Sequence, residues 1–283
     1  FERLEEKCSK IIDLLSVSKG DWEVVCWWLT ARYFGGRVNG DSFERLAQSI
    51  PLSILHRQHE TSFALEAILF GQSGLLSHKY QETYPLELFR EYLFQRKKYS
   101  LRQPPIAIHF LRMRPANFPT IKLAQLSAII TRNKKMMRDI IEVSDLTIIR
   151  SWFDVPLAEY WSTHYRFEEA SPFIIKRIGK QSIDNFIINV AVPLCYAYGA
   201  YHKLSSLQQK ALNWLEMLDS ESNTIIHGFG SLGIHSNNAF EAQALMQLKS
   251  NYCDNKRCLE CDIGSEILRK SGKPSNQTTT IES

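Results

Sequence analysis

Helical periodicity begins at the first residues and dominates the chain. Leu4, Cys8, Ile11, Ile12 and Leu15 fall at i, i+4, i+7, i+8 and i+11, opposite a Glu/Lys/Arg face. This spacing predicts a surface helix over 2–17. Gly20 and Asp21 punctuate it, and Asp21 is placed to cap a second helix in which Trp22, Val25, Cys26, Leu29 and Tyr33 keep the spacing until Gly35 and Gly36 close it. Asp41 starts a third, carried by Phe43, Leu46, Ala47 and Ile50 until Pro51 interrupts. Further helices are predicted over 60–70, 85–99, 119–131, 134–142, 182–200, 204–218 and 239–252. Strand signals are scarce, since only Ile106–Leu111 is a β-branched run, and prolines and arginines bound it. It reads as extended chain. The fold class is therefore all-α, an irregular multi-helix bundle with little or no sheet. Ile183–Leu194 is apolar on almost every side, which makes it the central helix, and Pro193 should kink its second half. Asn189 inside it needs a partner, because an unsatisfied buried amide costs roughly 1–3 kcal/mol.

A chain of 283 residues with 44% hydrophobic and 23% charged residues can bury a large core without staples. No apolar run approaches the ~20 residues that a membrane helix requires. Phe1 leads directly into a charged helix with no secretory signal pattern, and a first residue other than Met reads as a fragment of a longer protein. Six cysteines, three of them near the C-terminus, do not make a secreted disulfide framework, so a reducing cytoplasm is expected. Without repeats or sharp shifts in composition, residues 1–270 read as one helical domain, with a sub-division near 143–180 left open. The polar tail 271–283 is expected to be disordered.

Charge is distributed unevenly. Between Tyr92 and Arg138 stand eleven Lys or Arg residues and no Asp or Glu. Removing those eleven from the 34 basic residues leaves 23 against 30 acidic, a net charge of −7, so the positive charge is concentrated in one tract. Within it, Arg112 and Arg114 run into Pro119, a residue suited to the first position of a helix, with Lys122 one turn inside. Guanidinium forks and free helix-start amides could converge there on a phosphate. Lys97, Lys98 and Arg102 before this element, and Arg132, Lys134 and Lys135 after it, would extend the surface along DNA or RNA. Tyr92, Phe94, Tyr99, Phe110 and Phe118 are interleaved and could stack on bases. The competing reading pairs Arg112 and Arg114 with carboxylates such as Glu66 or Glu87 and leaves the lysines as a solvated face.

Cys253, Cys258 and Cys261 form a C-x4-C-x2-C pattern able to bring three sulfurs to one point. Zinc or an iron–sulfur cluster would need a fourth ligand from elsewhere, because no cysteine follows. The alternative is a set of reduced thiols packing a C-terminal turn. The pattern is also analogous to the cluster loop of iron–sulfur helix-hairpin-helix DNA glycosylases, although the Gly-rich hairpin is not visible. No nucleophile elbow, P-loop, zincin motif or dinucleotide fingerprint is present, so the sequence identifies no reaction. His56 and His59, near Glu60, read as a polar loop, and Gly71 and Gly74 as a helix end and turn.

Four ordered motifs carry a resemblance: Phe70-Gly-Gln-Ser-Gly74, Arg112-Met-Arg-Pro-Ala-Asn-Phe-Pro119, Asn189-Val-Ala-Val-Pro193 with Tyr198-Gly199, and Tyr252-Cys253 to Cys261-Asp-Ile-Gly264. Together they resemble the bacterial domain-of-unknown-function family numbered 2851, up to about Leu268. The resemblance implies an additional N-terminal mixed α/β region with a nuclease-like acidic motif, which this chain lacks, and hence a helical partner beside an upstream domain of the same protein. The leading expectation is an accessory domain that binds DNA or RNA through the basic tract. A metal-containing glycosylase-like or nuclease-associated enzyme, and a scaffold docking an acidic protein, are the alternatives.

Overall fold

The computed structural model of the chain describes residues 2–57 and 62–271 and is predominantly helical, as the periodicity predicts. It divides into two compact units, residues 6–214 and a smaller unit of residues 1–5 with 215–283. The tail expected over 271–283 lies, from residue 272 on, outside the described residues, and so do His59 and Glu60. No helix among the described residues is long and apolar enough to cross a membrane.

The predicted first helix is α1 (Glu2–Val17). α2 runs from Trp22 to Gln48, with the Asp21 carboxylate accepting from the Val24 amide at 3.1 Å. The predicted second and third helices are thus one run with a kink. Gly36 alone leaves helical geometry, at φ 60° and ψ −156°, a conformation that glycine adopts without the cost of a Cβ. Gly35 beside it packs so closely that a Cβ would lie 2.8 Å from the Gly40 backbone.

α3 (Leu52–Arg57) follows Pro51, and His56 belongs to its last turn rather than to the expected loop, with Nε2 2.9 Å from the Lys134 carbonyl. α4 (Ser62–Gln72) packs against α5 (Thr83–Tyr99) and α6 (Pro119–Arg132). Glycine decides the closeness of the first contact, because a Cβ on Gly71 would overlap the ring of Tyr92. Gly74, at φ 76°, turns the chain away as expected. α6 starts on Pro119 and is buried along most of its length, with Ile121, Leu123, Ala124, Leu126 and Ile129 enclosed between α4 and α2. Burial of each leucine or isoleucine among them stabilises by about 1.5–3 kcal/mol.

Beyond α6 come α7 (Met136–Glu142), α8 (Leu146–Ser151), α9 (Tyr160–Thr163) and the antiparallel pair β1 (His164–Arg166) and β2 (Glu169–Ala170). The apolar segment is the core helix that its composition requires. α10 (Lys180–Phe186) continues through a π-helical turn, Ile187–Ala191, into α11 (Val192–Tyr201), and Ile187, Ala191, Val192 and Leu194 are fully buried. Pro193 has no N–H and would crowd the carbonyl four residues back. The chain accommodates it with the wider turn, where the Val192 amide bonds to Ile187. Asn189 in that turn donates to the Asn185 carbonyl at 2.9 Å and accepts from Lys7 Nζ at 3.0 Å. α12 (Ser205–Met217) sends Lys210 to the C-terminal end of α7, where its amine donates to the carbonyls of Ile140, Ile141 and Val143 at 2.9, 2.6 and 3.0 Å.

In the smaller unit, α13 (Thr224–Ser231) and α14 (Ala239–Gln247) pack together and carry asparagine caps. Asn223 accepts from the amides of Ile225 and Ile226, and Asn238 from that of Glu241. Arg3 Nε donates to Gln243 Oε1 at 2.7 Å and the Tyr252 hydroxyl to Glu2 Oε1 at 2.7 Å. A π-helical turn, Leu248–Cys253, and a short turn at Cys258–Glu260 lead to α15 (Asp262–Ser271).

Candidate nucleic-acid interface

The tract without acids is held in place by residues far from it in sequence. Between α5 and α6 the chain forms no helix or strand over Ile106–Phe110, turns at Leu111 and Arg112 and makes a short 3-10 turn at Pro115–Asn117, and α2 holds its first part. Asn39 donates to the His109 carbonyl and accepts from the His109 amide, both at 2.8 Å, while Ser42 donates to the Ala107 carbonyl at 2.7 Å. Arg166 on β1 pins the next stretch. Its guanidinium carbon lies 4.7 Å from the ring centre of Phe110 and 4.6 Å from that of Phe118, so the segment carrying Arg112 and Arg114 is anchored at both ends. Arg112 itself sits at φ 59°, a left-handed conformation that costs a non-glycine residue about 1 kcal/mol or more.

This construction brings Arg112, Arg114 and Lys122 to the wall of one open cleft of about 560 Å³, bordered by the first turn of α6. The kink in α2 supplies the facing wall through Tyr33, Gly36 and Arg37. Arg37 is the fourth cation, and no carboxylate lines the cleft. Among the described residues none of Arg37, Arg112, Arg114 and Lys122 is in an ion pair. Glu66, one of the carboxylates weighed as a partner, is buried elsewhere and accepts from Tyr84 and Trp161. Lys122 is half-buried, with Gln125 Oε1 3.3 Å from its amine, and burial pulls its pKa below the ordinary lysine value.

An ammonium kept partly from water without a counter-charge destabilises the fold unless something negative binds it. Lys122→Met is therefore expected to raise the melting temperature by a few degrees, roughly 1 kcal/mol, while lowering polyanion affinity about tenfold. The sign with pH follows from the lowered pKa. The penalty is complete below the folded-state value and is relieved as pH rises toward 10.5. Thermal melts of both proteins from pH 7 to 10 check this, since only the wild type should gain stability on the alkaline side. A structural role for Lys122 predicts the opposite, a less stable variant.

The other basic residues of the tract lie elsewhere. Lys97, Lys98 and Arg102, at and just after the end of α5, do not line the cleft, and Lys98 reaches over the rings of Phe94 and Tyr99. Arg132, Lys134 and Lys135 stand at the far end of α6, roughly 20 Å from its start at ~1.5 Å rise per residue. Arg132 donates there to the Asp154 carbonyl at 3.0 Å. That end has its own acids. Glu23 accepts from the amides of Met137 and Arg138, and Glu142 pairs with Arg138 at 2.8 Å. Several of the interleaved aromatics are already engaged, Phe110 and Phe118 by Arg166 and Tyr92 against Gly71.

In the smaller unit Cys253 and Cys258 are exposed, Cys261 is half-exposed, and all three are free thiols. Gly264 packs against the backbone of Cys258, where a Cβ would overlap its carbonyl. Among the described residues no group of three or more His, Cys, Asp or Glu side chains is arranged to hold a metal ion. The model of the family described as "Protein of unknown function (DUF2851)" matches residues 1–224, which include the whole arginine cleft and stop short of these cysteines. No curated protein and no solved structure matches the chain.

Proposed function

We propose that this chain, which belongs to the DUF2851 family, is a helical domain that binds a phosphate-rich polyanion, DNA or RNA, in the cleft of Arg37, Arg112, Arg114 and Lys122. One observation carries the reading: a half-buried lysine with no carboxylate partner stands in a cleft with three arginines and no acid. A half-buried structural lysine of this fold, Lys210, is satisfied by three carbonyls at the end of α7, whereas the Lys122 amine has only Gln125 Oε1 at 3.3 Å and so keeps donors for a ligand. Phosphate oxygens suit the guanidinium forks, and the start of α6 adds the positive end of its dipole. The eight other basic residues of the tract, Arg96 to Arg102 and Arg132 to Arg138, lie outside the cleft and would contribute long-range attraction rather than contacts.

Salt titration tests this. Each phosphate neutralised contributes about −0.9 to the slope of log K against log salt on duplex DNA and about −0.7 on single strands, so four cations predict a slope near −3. Replacing Arg112 and Arg114 together by alanine should flatten the slope by about 1.5 to 2, whereas replacing Lys97 and Lys98 should change it by less than 1. Binding that ignores salt, or that persists unchanged in the double arginine variant, refutes the reading. Preference for an acidic protein over either nucleic acid would instead identify a scaffold.

A further inference from the structure

A second recess, of about 360 Å³, adjoins the arginine cleft and shares Tyr33, Gly36 and Arg37 with it. Its character differs. Ile11, Leu29, Val190 and Pro193 form an apolar lining, while Lys7 and Lys10 stand along it. Continuous with a cationic cleft, such a surface suits a ligand that alternates flat apolar groups with negative charges. We propose that the two recesses form one groove for a single strand of nucleic acid, with phosphates on Arg112, Arg114 and Lys122 and a base against Tyr33. This inference rests on the polyanion reading above and adds which form of nucleic acid the groove accepts.

Three features favour a single strand over a duplex. A duplex keeps its bases stacked inside and presents a convex row of phosphates, so it would leave the apolar recess unfilled and the half-buried Lys122 out of reach. A strand with its bases turned out can place a phosphate in one recess and a base in the next. The junction between the recesses is open as well, because a Cβ on Gly36 would meet nothing within 4 Å and glycine leaves even that space free. Tyr33, at the junction, is held in one orientation. The rings of Phe34 and Phe186 stand nearly perpendicular to it, with ring centres 5.8 and 5.4 Å away, and its hydroxyl donates to the Ser182 carbonyl. A half-exposed ring already fixed by its neighbours loses little freedom when a base stacks on it.

Fluorescence anisotropy with a labelled oligothymidylate and a blunt duplex of equal length tests the proposal. The single strand should bind about tenfold more tightly than the duplex, and Tyr33→Leu should remove about that factor from the single strand alone. Tyr33→Phe, which keeps the ring, should bind as the wild type does. Lys10→Glu, at an exposed position along the recess, should weaken the single strand several-fold and provides a second probe if Tyr33→Leu is poorly folded. Equal or tighter binding of the duplex overturns the single-strand groove while leaving the polyanion reading intact. So does a single-strand affinity indifferent to both Tyr33→Leu and Lys10→Glu. Failure to bind either form overturns both.

Discussion

Replacing Gly71 by alanine is expected to lower stability by about 3 kcal/mol and the melting temperature by roughly ten degrees. Two effects oppose each other. Alanine is the better helix former by about 1 kcal/mol, and Gly71 lies within α4, so propensity alone predicts a gain. The added methyl would overlap the ring of Tyr92, which is 3% exposed and so has little room to yield. Overpacking of a closed site commonly costs 1–3 kcal/mol, and here a whole ring must be displaced from the α4–α5 contact, which places the expected cost above that range before propensity offsets part of it. Chemical denaturation measures the outcome. Tyr92→Leu combined with Gly71→Ala should recover part of the loss, so the two changes should be non-additive. A Gly71→Ala protein as stable as the wild type would show that α4 and α5 are not in such close contact.

The second large effect concerns Glu66. Its side chain is 2% exposed in the core, and one carboxylate oxygen accepts from the Tyr84 hydroxyl at 2.8 Å and the Trp161 indole at 2.6 Å. Desolvation outweighs those two donors and raises its pKa to about 7. Between the ordinary value of 4.5 and about 7 the folded protein therefore holds a proton that the unfolded chain releases. This contribution is fully present below pH 4.5 and is lost as pH rises through about 7, on the order of 3 kcal/mol in all. Glu66→Gln keeps an oxygen for both donors and cannot ionise. It should match the wild type near pH 5, exceed it at pH 8, and have a flatter stability profile between. Urea unfolding at several pH values checks this, and a wild-type profile that rises from pH 5 to 8 while the variant's does not would contradict it.

Much of the architecture was legible wherever a single helix face alternates with a charged one. α1 and α6 follow directly from periodicity, as does the Asp21 cap, and the uniformly apolar run correctly marks α10 and α11 as the core. The kink in α2 was not legible in the same way. Two adjacent glycines look like a helix stop, and only the packing of Gly35 on Gly40 explains why the chain bends and continues. Short helices such as α8 and α13 carry too few turns for a stripe to emerge, although Asn223 before α13 is a cap signal that could have been read. The cleft was legible as to its centre, because Arg112, Arg114 and Lys122 precede or open a proline-started helix. Arg37 was missed because it enters from the α2 kink, more than seventy residues away in sequence. The tract's apparent length misled for a related reason. A run without acids says nothing about acids brought in by other helices, and Glu23 from α2 sits at its far end.

Asn39 has a consequence for solubility. The β-branched run beside it is of the kind that pairs with strands of other molecules when its backbone is left open, and here it lies in no sheet. A single side-chain amide occupies both the donor and the acceptor of His109, as a neighbouring strand would. One residue of α2 thereby takes up both backbone groups of His109, so a strand from another molecule finds neither the donor nor the acceptor it would need at that position.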